Sequence, residues 1–252
     1  NPADGLRKFA GATRKRGILT DPEIERIFRL EWHSEHARIA SIVAMSTGLR
    51  AGEIAALRAE DIGDDRIFVR HSWSEQDGLK STKNGEERTL PIVPQTRELL
   101  RRLSARNPHG GPFVFWSTAR ADRPMHTKGF TDGLSDALVL LELPASDLEA
   151  ARRARNRLSR KAEPEQSDME AKERVDAVRK RYQDRGIDFH AWRHYYASKM
   201  ADAVDLRTLQ QATGHKSPLM ALHYADHASD AHFNGVAAAT RTAFVLPFES
   251  AS

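Results

Sequence analysis

Six side chains in this sequence could act together on a phosphate ester. Arg50 stands in Thr47-Gly48-Leu49-Arg50-Ala51-Gly52-Glu53, and Lys83 opens Lys83-Asn84-Gly85-Glu86-Glu87-Arg88-Thr89-Leu90-Pro91. His190 and Arg193 belong to His190-Ala191-Trp192-Arg193-His194, while His215 follows Gly214 and precedes Tyr224 by nine residues. A guanidinium is a rigid fork that keeps its proton, so Arg50 and Arg193 suit the non-bridging oxygens on which charge grows when phosphorus is attacked. The Tyr224 phenol, with an unperturbed pKa of about 10, becomes a useful nucleophile at neutral pH only beside cations or a base. His190 lies one helical turn from Arg193 on the same face and is the candidate to accept or relay the phenol's proton. His215 is a candidate hydrogen-bond donor to the same phosphate.

Each of these residues also has an ordinary structural use. Arg50 could form a corner salt bridge to Glu53, Lys83 could be a solvated turn residue, either histidine a satisfied structural one, and Tyr224 a core aromatic. Glu53 is read as structural, orienting an arginine, with Arg88 and Trp192 as supporting residues. The pairs His190/His194 and His223/His227 have the i,i+4 spacing that could ligate a metal from a helix. No carboxylate stands at the spacing of a hydrolytic zinc motif, so neither metal nor cofactor is assigned.

Bringing six such distant residues to one phosphorus requires a framework of helices and turns. Thr20-Asp21-Pro22-Glu23 is a capping box with proline in the first turn, and Ile24, Ile27 and Phe28 follow at helical spacing. A second helix carries Ile39, Ile42 and Val43 and stops at Thr47-Gly48, where glycine takes the left-handed cap conformation. A short helical run from Glu53 to Leu57 comes next, which places Arg50 at a tight corner between helices. From Arg66 to Val93 the period becomes two, with Ile67, Val69, Leu90 and Ile92 alternating with polar residues. Asn84-Gly85 reads as the two-residue turn of a hairpin in a small antiparallel sheet, with Lys83 projecting from its tip. Helices are expected again over 96–103, 130–141, 189–200 and 206–213, the last closed by Gly214. Ser217 as N-cap and Pro218 in the first turn then open the helix that carries Tyr224.

Residues 146–185 differ in composition, with dense mixed charge and a basic cluster at Arg152, Arg153, Arg155, Arg157, Arg160 and Lys161. They read as two exposed helices broken near Pro164, the second with a thin apolar stripe of Met169, Val175, Val178 and Tyr182. A salt-bridged surface hairpin and a contact to a polyanion backbone are both open for this insert. The tail carries Phe233, Val236, Phe244, Val245, Leu246 and Phe248, which must bury somewhere.

The 252 residues are enough for one large domain, or a domain with an appendage, and a substantial core. With no cysteine, disulfides, thiolate zinc sites and cysteine nucleophiles are excluded. No apolar run approaches the roughly 20 residues of a membrane span, so a soluble, cytoplasmic protein is expected. A net charge of +4 favours a polyanionic partner.

In this order and at these spacings the six residues resemble the tyrosine recombinase family, which includes bacteriophage integrases and bacterial dimer-resolving recombinases. The resemblance runs from about Leu19 to the end of the chain. It implies a mainly α fold with a small antiparallel β-sheet (α+β), the tyrosine recombinase catalytic-domain fold. It also implies site-specific cutting and rejoining of double-stranded DNA through a 3′-phosphotyrosine on Tyr224, with Lys83 as general acid for the leaving 5′-oxygen. Because one phosphoester replaces another, neither ATP nor magnesium is needed, the arginines neutralising the charge. Type IB topoisomerase-like DNA relaxation and a non-catalytic DNA-binding module are the competing readings; the second has no use for Tyr224 and Lys83.

On this reading residues 1–17 form a basic linker, and residues 18–252 form the catalytic domain with insert 146–185 and C-terminal tail 229–252. The chain begins Asn1-Pro2, as an excised or processed form would, and the family's upstream core-binding domain is taken to be absent from it. Arg14, Lys15, Arg16, Arg152, Arg153, Arg155 and Lys216 are candidates for DNA-backbone contact. Self-association into a tetrameric synapse is expected of the family, with tail docking on a neighbouring protomer, an accessory directionality factor as a further partner, and a nucleoid-associated location. Thr213 and Ala221 depart from commoner choices around the last motif and bear on subfamily.

Overall fold

The computed structural model describes residues 17–82, 87–201 and 230–244, together with Val204, Thr208 and Ala212. Helix α1 (Asp21–Arg29) starts at the expected capping box, with the Glu23 carboxylate accepting the Thr20 N–H at 2.8 Å, and it buries Ile24, Ile27 and Phe28. Helix α2 (Glu35–Thr47) is buried on every side from Ile39 onward, because it passes through the middle of the molecule against α4 (Pro94–Ala105), α5 (Thr127–Leu140) and α8 (Ala191–Ala201). It ends at Gly48, whose φ of 68° lies in the left-handed region that favours glycine. A Cβ there would also stand 2.6 Å from Cδ1 of Tyr196, so the position needs glycine twice over. Three residues later α3 (Ala51–Ala55) begins, and the corner expected around Arg50 is present.

The strand region departs from the expected single sheet. Strand β1 (Arg66–Val69) pairs antiparallel with β4 (Arg88–Pro91), setting Ile67 opposite Leu90, while β2 (His71–Ser74) pairs separately with β3 (Gly78–Ser81). The strands on either side of Asn84-Gly85 therefore pair with earlier strands rather than with each other. A tight reversal lies between Ser74 and Gly78, where Gly78 has φ 71° and the Ser74 hydroxyl accepts the Asp77 N–H at 3.1 Å. Apolar alternation marks only strands that bury one face, and β1 and β4 do so through Ile67, Val69 and Leu90. The residues of β2 and β3 are half-buried or exposed, so this pair left no such pattern. Residues 83–86, including that dipeptide and Lys83, lie outside the described residues.

Between α4 and α5 a stretch without helix or strand carries Phe113, Val114 and Phe115 into the core, held by the Val114 N–H donating to the Leu57 carbonyl at 2.9 Å. The charged insert forms α6 (Ala145–Ser159) and α7 (Gln166–Asp184), broken where expected, and these pack along each other and against α5. Where α6 and α7 pack, Leu148, Ala151 and Ala154 of one and Ala171, Val175 and Val178 of the other are buried, with Tyr182 buried and Met169 half-buried.

Helix α9 (Asp230–Ala243) packs on β4 and α8 of its own chain, and Phe244 stacks on Tyr196 with ring centroids 5.6 Å apart. Val236, Ala239 and Phe244 are buried against their own chain, where the rings of Tyr195 and Tyr196 on α8 offer an apolar seat. The side chains of Phe233, Val245, Leu246 and Phe248 lie outside the described residues. Among the described residues no helix is long and apolar enough to cross a membrane.

Candidate active site

The site is assembled at the corner between α2 and α3, where the chain must turn sharply and leaves backbone polar groups to be satisfied. The Glu53 side chain folds back over that corner and accepts the Arg50 N–H at 2.9 Å and Arg50 Nη1 at 3.0 Å. Arg88, the first residue of β4, approaches the same carboxylate with both terminal nitrogens, Nη2 to Oε2 at 2.7 Å and Nη1 to Oε1 at 3.1 Å. Its Nε donates to the Ala212 carbonyl at 3.3 Å. Glu53 is thus a buried carboxylate whose two oxygens accept four hydrogen bonds, three of them from guanidinium nitrogens.

Arg193 arrives from α8 and donates Nη1 to the Gly48 carbonyl at 2.6 Å, across 145 residues of sequence. Its side chain is buried, whereas that of Arg50 is 32 % exposed and opens toward solvent. Burial and then the neighbouring Arg50 push the Arg193 guanidinium down to about 10, with Glu53 opposing and Arg88 adding to the fall; it remains a cation at neutral pH. For Glu53, burial pushes the carboxyl upward, but the hydrogen bonds and charge of Arg88, followed by those of Arg50, outweigh it and hold the group below its ordinary range. Among the described residues three guanidiniums therefore surround one buried carboxylate, an arrangement with excess positive charge at a partly open corner. Such a site is receptive to an anion.

His190 sits at the entry to α8, its N–H donating to the Asp188 carboxylate at 2.8 Å and its ring edge-on to His194 at 5.0 Å. It lies one turn before Arg193, as the spacing indicated, with the Arg193 N–H donating to its carbonyl at 3.1 Å. Trp192, one residue before Arg193, turns instead into the core, 5.5 Å from the Phe28 ring. No group of three or more histidine, aspartate or glutamate side chains among the described residues could hold a metal ion. His223 and His227 lie outside the described residues.

Of the six candidate residues the structure brings together Arg50 and Arg193, and His190 stands one turn before Arg193 with its ring against His194. Lys83, His215 and Tyr224 lie outside the described residues, as do Arg14, Lys15, Arg16 and Lys216. The insert arginines are engaged elsewhere: Arg152 with Asp136 at 2.5 Å, Arg153 with Asp168 at 2.7 Å, and Arg155 with Asp176. Two contributors escaped the sequence reading. The Gly48 carbonyl, which anchors Arg193, has no side-chain signal. Tyr196, which packs on Gly48, stands three residues after Arg193 and could have been placed on the same helical face.

The chain is similar in sequence and in fold to known proteins. A 117-residue stretch is 32 % identical to a shufflon-specific DNA recombinase of Escherichia coli, covering 46 % of this chain and 28 % of that protein. A Haemophilus influenzae protein described as an integrase/recombinase is 30 % identical over 131 residues, covering 48 % of this chain and 34 % of its own length. The chain thus spans about a third of the length of these relatives. In fold it is similar to the Tn1549 transposon integrase in complex with transposon right-end DNA, with a TM-score of 0.56 at 17 % identity over 93 % of this chain and 68 % of that one. It is also similar to the integrase from mycobacterium phage Brujita, with a TM-score of 0.53 at 16 % identity over 99 % of this chain and 64 % of that one. The model of the phage integrase family matches residues 18–231. The chain belongs to the phage integrase family.

Proposed function

We propose that this chain is the catalytic part of a site-specific DNA recombinase that cuts and rejoins duplex DNA through Tyr224. The observation that carries the reading is the meeting of Arg50 and Arg193 at one corner, where among the described residues three guanidiniums gather around the buried carboxylate of Glu53. A cluster with that charge imbalance is stabilised by a bound anion, and two rigid forks suit a phosphodiester.

In the proposed reaction the Tyr224 oxygen attacks phosphorus, its proton passing to His190. The bond from phosphorus to the 5′-oxygen breaks, and that oxygen takes a proton from Lys83. The products are a 3′-phosphotyrosine and a free 5′-hydroxyl. Arg50, Arg193 and His215 hold the charged non-bridging oxygens throughout. Attack by another strand's 5′-hydroxyl reverses the step and reseals the DNA, so the exchange conserves phosphoester bonds.

Double-stranded DNA is the proposed substrate, with self-association on it and an accessory directionality factor as further partners. Residues 18–252 are proposed as the catalytic domain and residues 1–17 as a linker to it. Among the backbone candidates, Arg14, Lys15, Arg16 and Lys216 fit DNA better than Arg152, Arg153 and Arg155, whose guanidiniums already face carboxylates.

The test is to incubate the protein with a random-sequence library of nicked duplexes and recover DNA that stays attached in detergent. Wild type is expected to enrich a defined sequence, and Tyr224→Phe to recover none. Equal recovery by Tyr224→Phe, or no recovery by wild type, overturns the proposal.

A further inference from the structure

We propose that Arg88 is the positioning residue that fixes the spacing of three segments of the recombinase site: the Arg50 corner, the strand that follows Lys83 in sequence, and the chain at Ala212, three residues before His215. The inference rests on the recombinase reading above. Arg88 begins β4, five residues after Lys83, and its backbone is set in register opposite Val69 of β1. Two of its nitrogens clasp the Glu53 carboxylate, which in turn holds Arg50 by side chain and backbone. The remaining edge of the same guanidinium reaches the carbonyl of Ala212, three residues before His215. One planar group therefore touches, directly or through Glu53, segments separated by 35 and 124 residues.

The geometry requires arginine. A carboxylate in the plane of a guanidinium takes two parallel hydrogen bonds, and Nε is left to serve an acceptor on the adjacent edge. A lysine ammonium is a point charge that can neutralise Glu53 but cannot span both acceptors at fixed angles. The Arg88 side chain is 14 % exposed, so water competes weakly for these donors. With three nitrogens engaged by protein acceptors, Arg88 acts through Arg50 and its neighbours rather than on the phosphate.

The experiment uses the full chain and the duplex recovered from the nicked library by wild-type protein. Affinity is measured by fluorescence anisotropy, and the rate constant of detergent-stable attachment is measured at saturating protein. Arg88→Lys keeps a cation beside Glu53 and is expected to fold and to bind within about threefold of wild type, while attaching roughly tenfold to a hundredfold more slowly. Arg88→Met is expected to be slower still. Attachment by Arg88→Lys at the wild-type rate overturns the inference and leaves the recombinase reading standing. So does a parallel loss of affinity and rate together with a fall in melting temperature, because that pattern marks a stability role alone. Failure of wild type to attach to any duplex removes both proposals together.

Discussion

Replacing Glu53 by glutamine keeps the shape of the corner and removes its only buried negative charge among the groups described there. The carboxylate is 2 % exposed, accepts four hydrogen bonds and is faced by Arg50, Arg88 and Arg193. An amide retains one accepting oxygen and turns an NH2 toward guanidiniums that can only donate. Breaking a buried ion pair by removing one partner costs roughly 3–5 kcal/mol. For a chain of this size a melting point shifts by about 2–4 °C per kcal/mol, so Glu53→Gln should melt roughly 6–20 °C lower at neutral pH. The sign of the pH dependence follows from the direction of the shift. Glu53 is held below its ordinary 4.5 in the folded chain, so its stabilisation is complete above pH 4.5 and is lost as pH falls through the lower folded value. The gap between wild type and variant should thus stay constant from about pH 7 to pH 5 and close only in more acidic solution. Thermal unfolding followed by circular dichroism across that range measures it. A gap below about 1 kcal/mol at neutral pH, or one that closes already between pH 7 and 5, would refute the charge-cluster argument.

Three further outcomes are expected. Gly48→Ala sets a Cβ 2.6 Å from the Tyr196 ring at a φ of 68°, and urea unfolding should show a loss of about 2–4 kcal/mol, whereas a loss under 1 kcal/mol would mean the ring moves aside freely. The Glu23 carboxylate accepts hydrogen bonds from Arg185 at 2.6 and 3.0 Å and is lowered to about 2, chiefly by those bonds. Glu23→Gln should therefore cost about 1–2 kcal/mol above pH 4.5 and nothing once pH falls through about 2; a difference that persists in acid contradicts this. Arg152→Gln with Arg155→Gln should lower stability yet leave the salt dependence of DNA affinity unchanged. A slope reduced by about one unit per arginine would show that these residues meet phosphate after all.

The described part of the candidate site is legible in the amino-acid sequence where its parts announce themselves locally. Thr20 and Glu23 mark the start of α1 by reciprocal capping, and Gly48 marks the end of α2 by the conformation that only it adopts cheaply. His190 and Arg193 share a face because a helical turn places them so. The strand region is harder. Asn84-Gly85 is a genuine turn signal, but a dipeptide states only that the chain reverses, and the partner of each flanking strand is chosen by which apolar faces meet in the core. The 113–115 segment escapes notice for a related reason: Phe113, Val114 and Phe115 are too few to show a period, yet burial draws them inward.

The sequence by itself determined the local grammar of this protein, its helix ends, the corner that bears Arg50 and the residue types available for phosphoryl chemistry. Tertiary structure decided the partnerships: Glu53 between Arg50 and Arg88, Arg193 on the Gly48 carbonyl, Arg88 on Ala212, and the insert arginines on their own aspartates. Capping and periodicity are settled by backbone geometry within a few residues. A charge finds its counter-charge only when packing brings remote segments within about 3 Å and excludes the water that would otherwise serve both, and that depends on the whole chain at once.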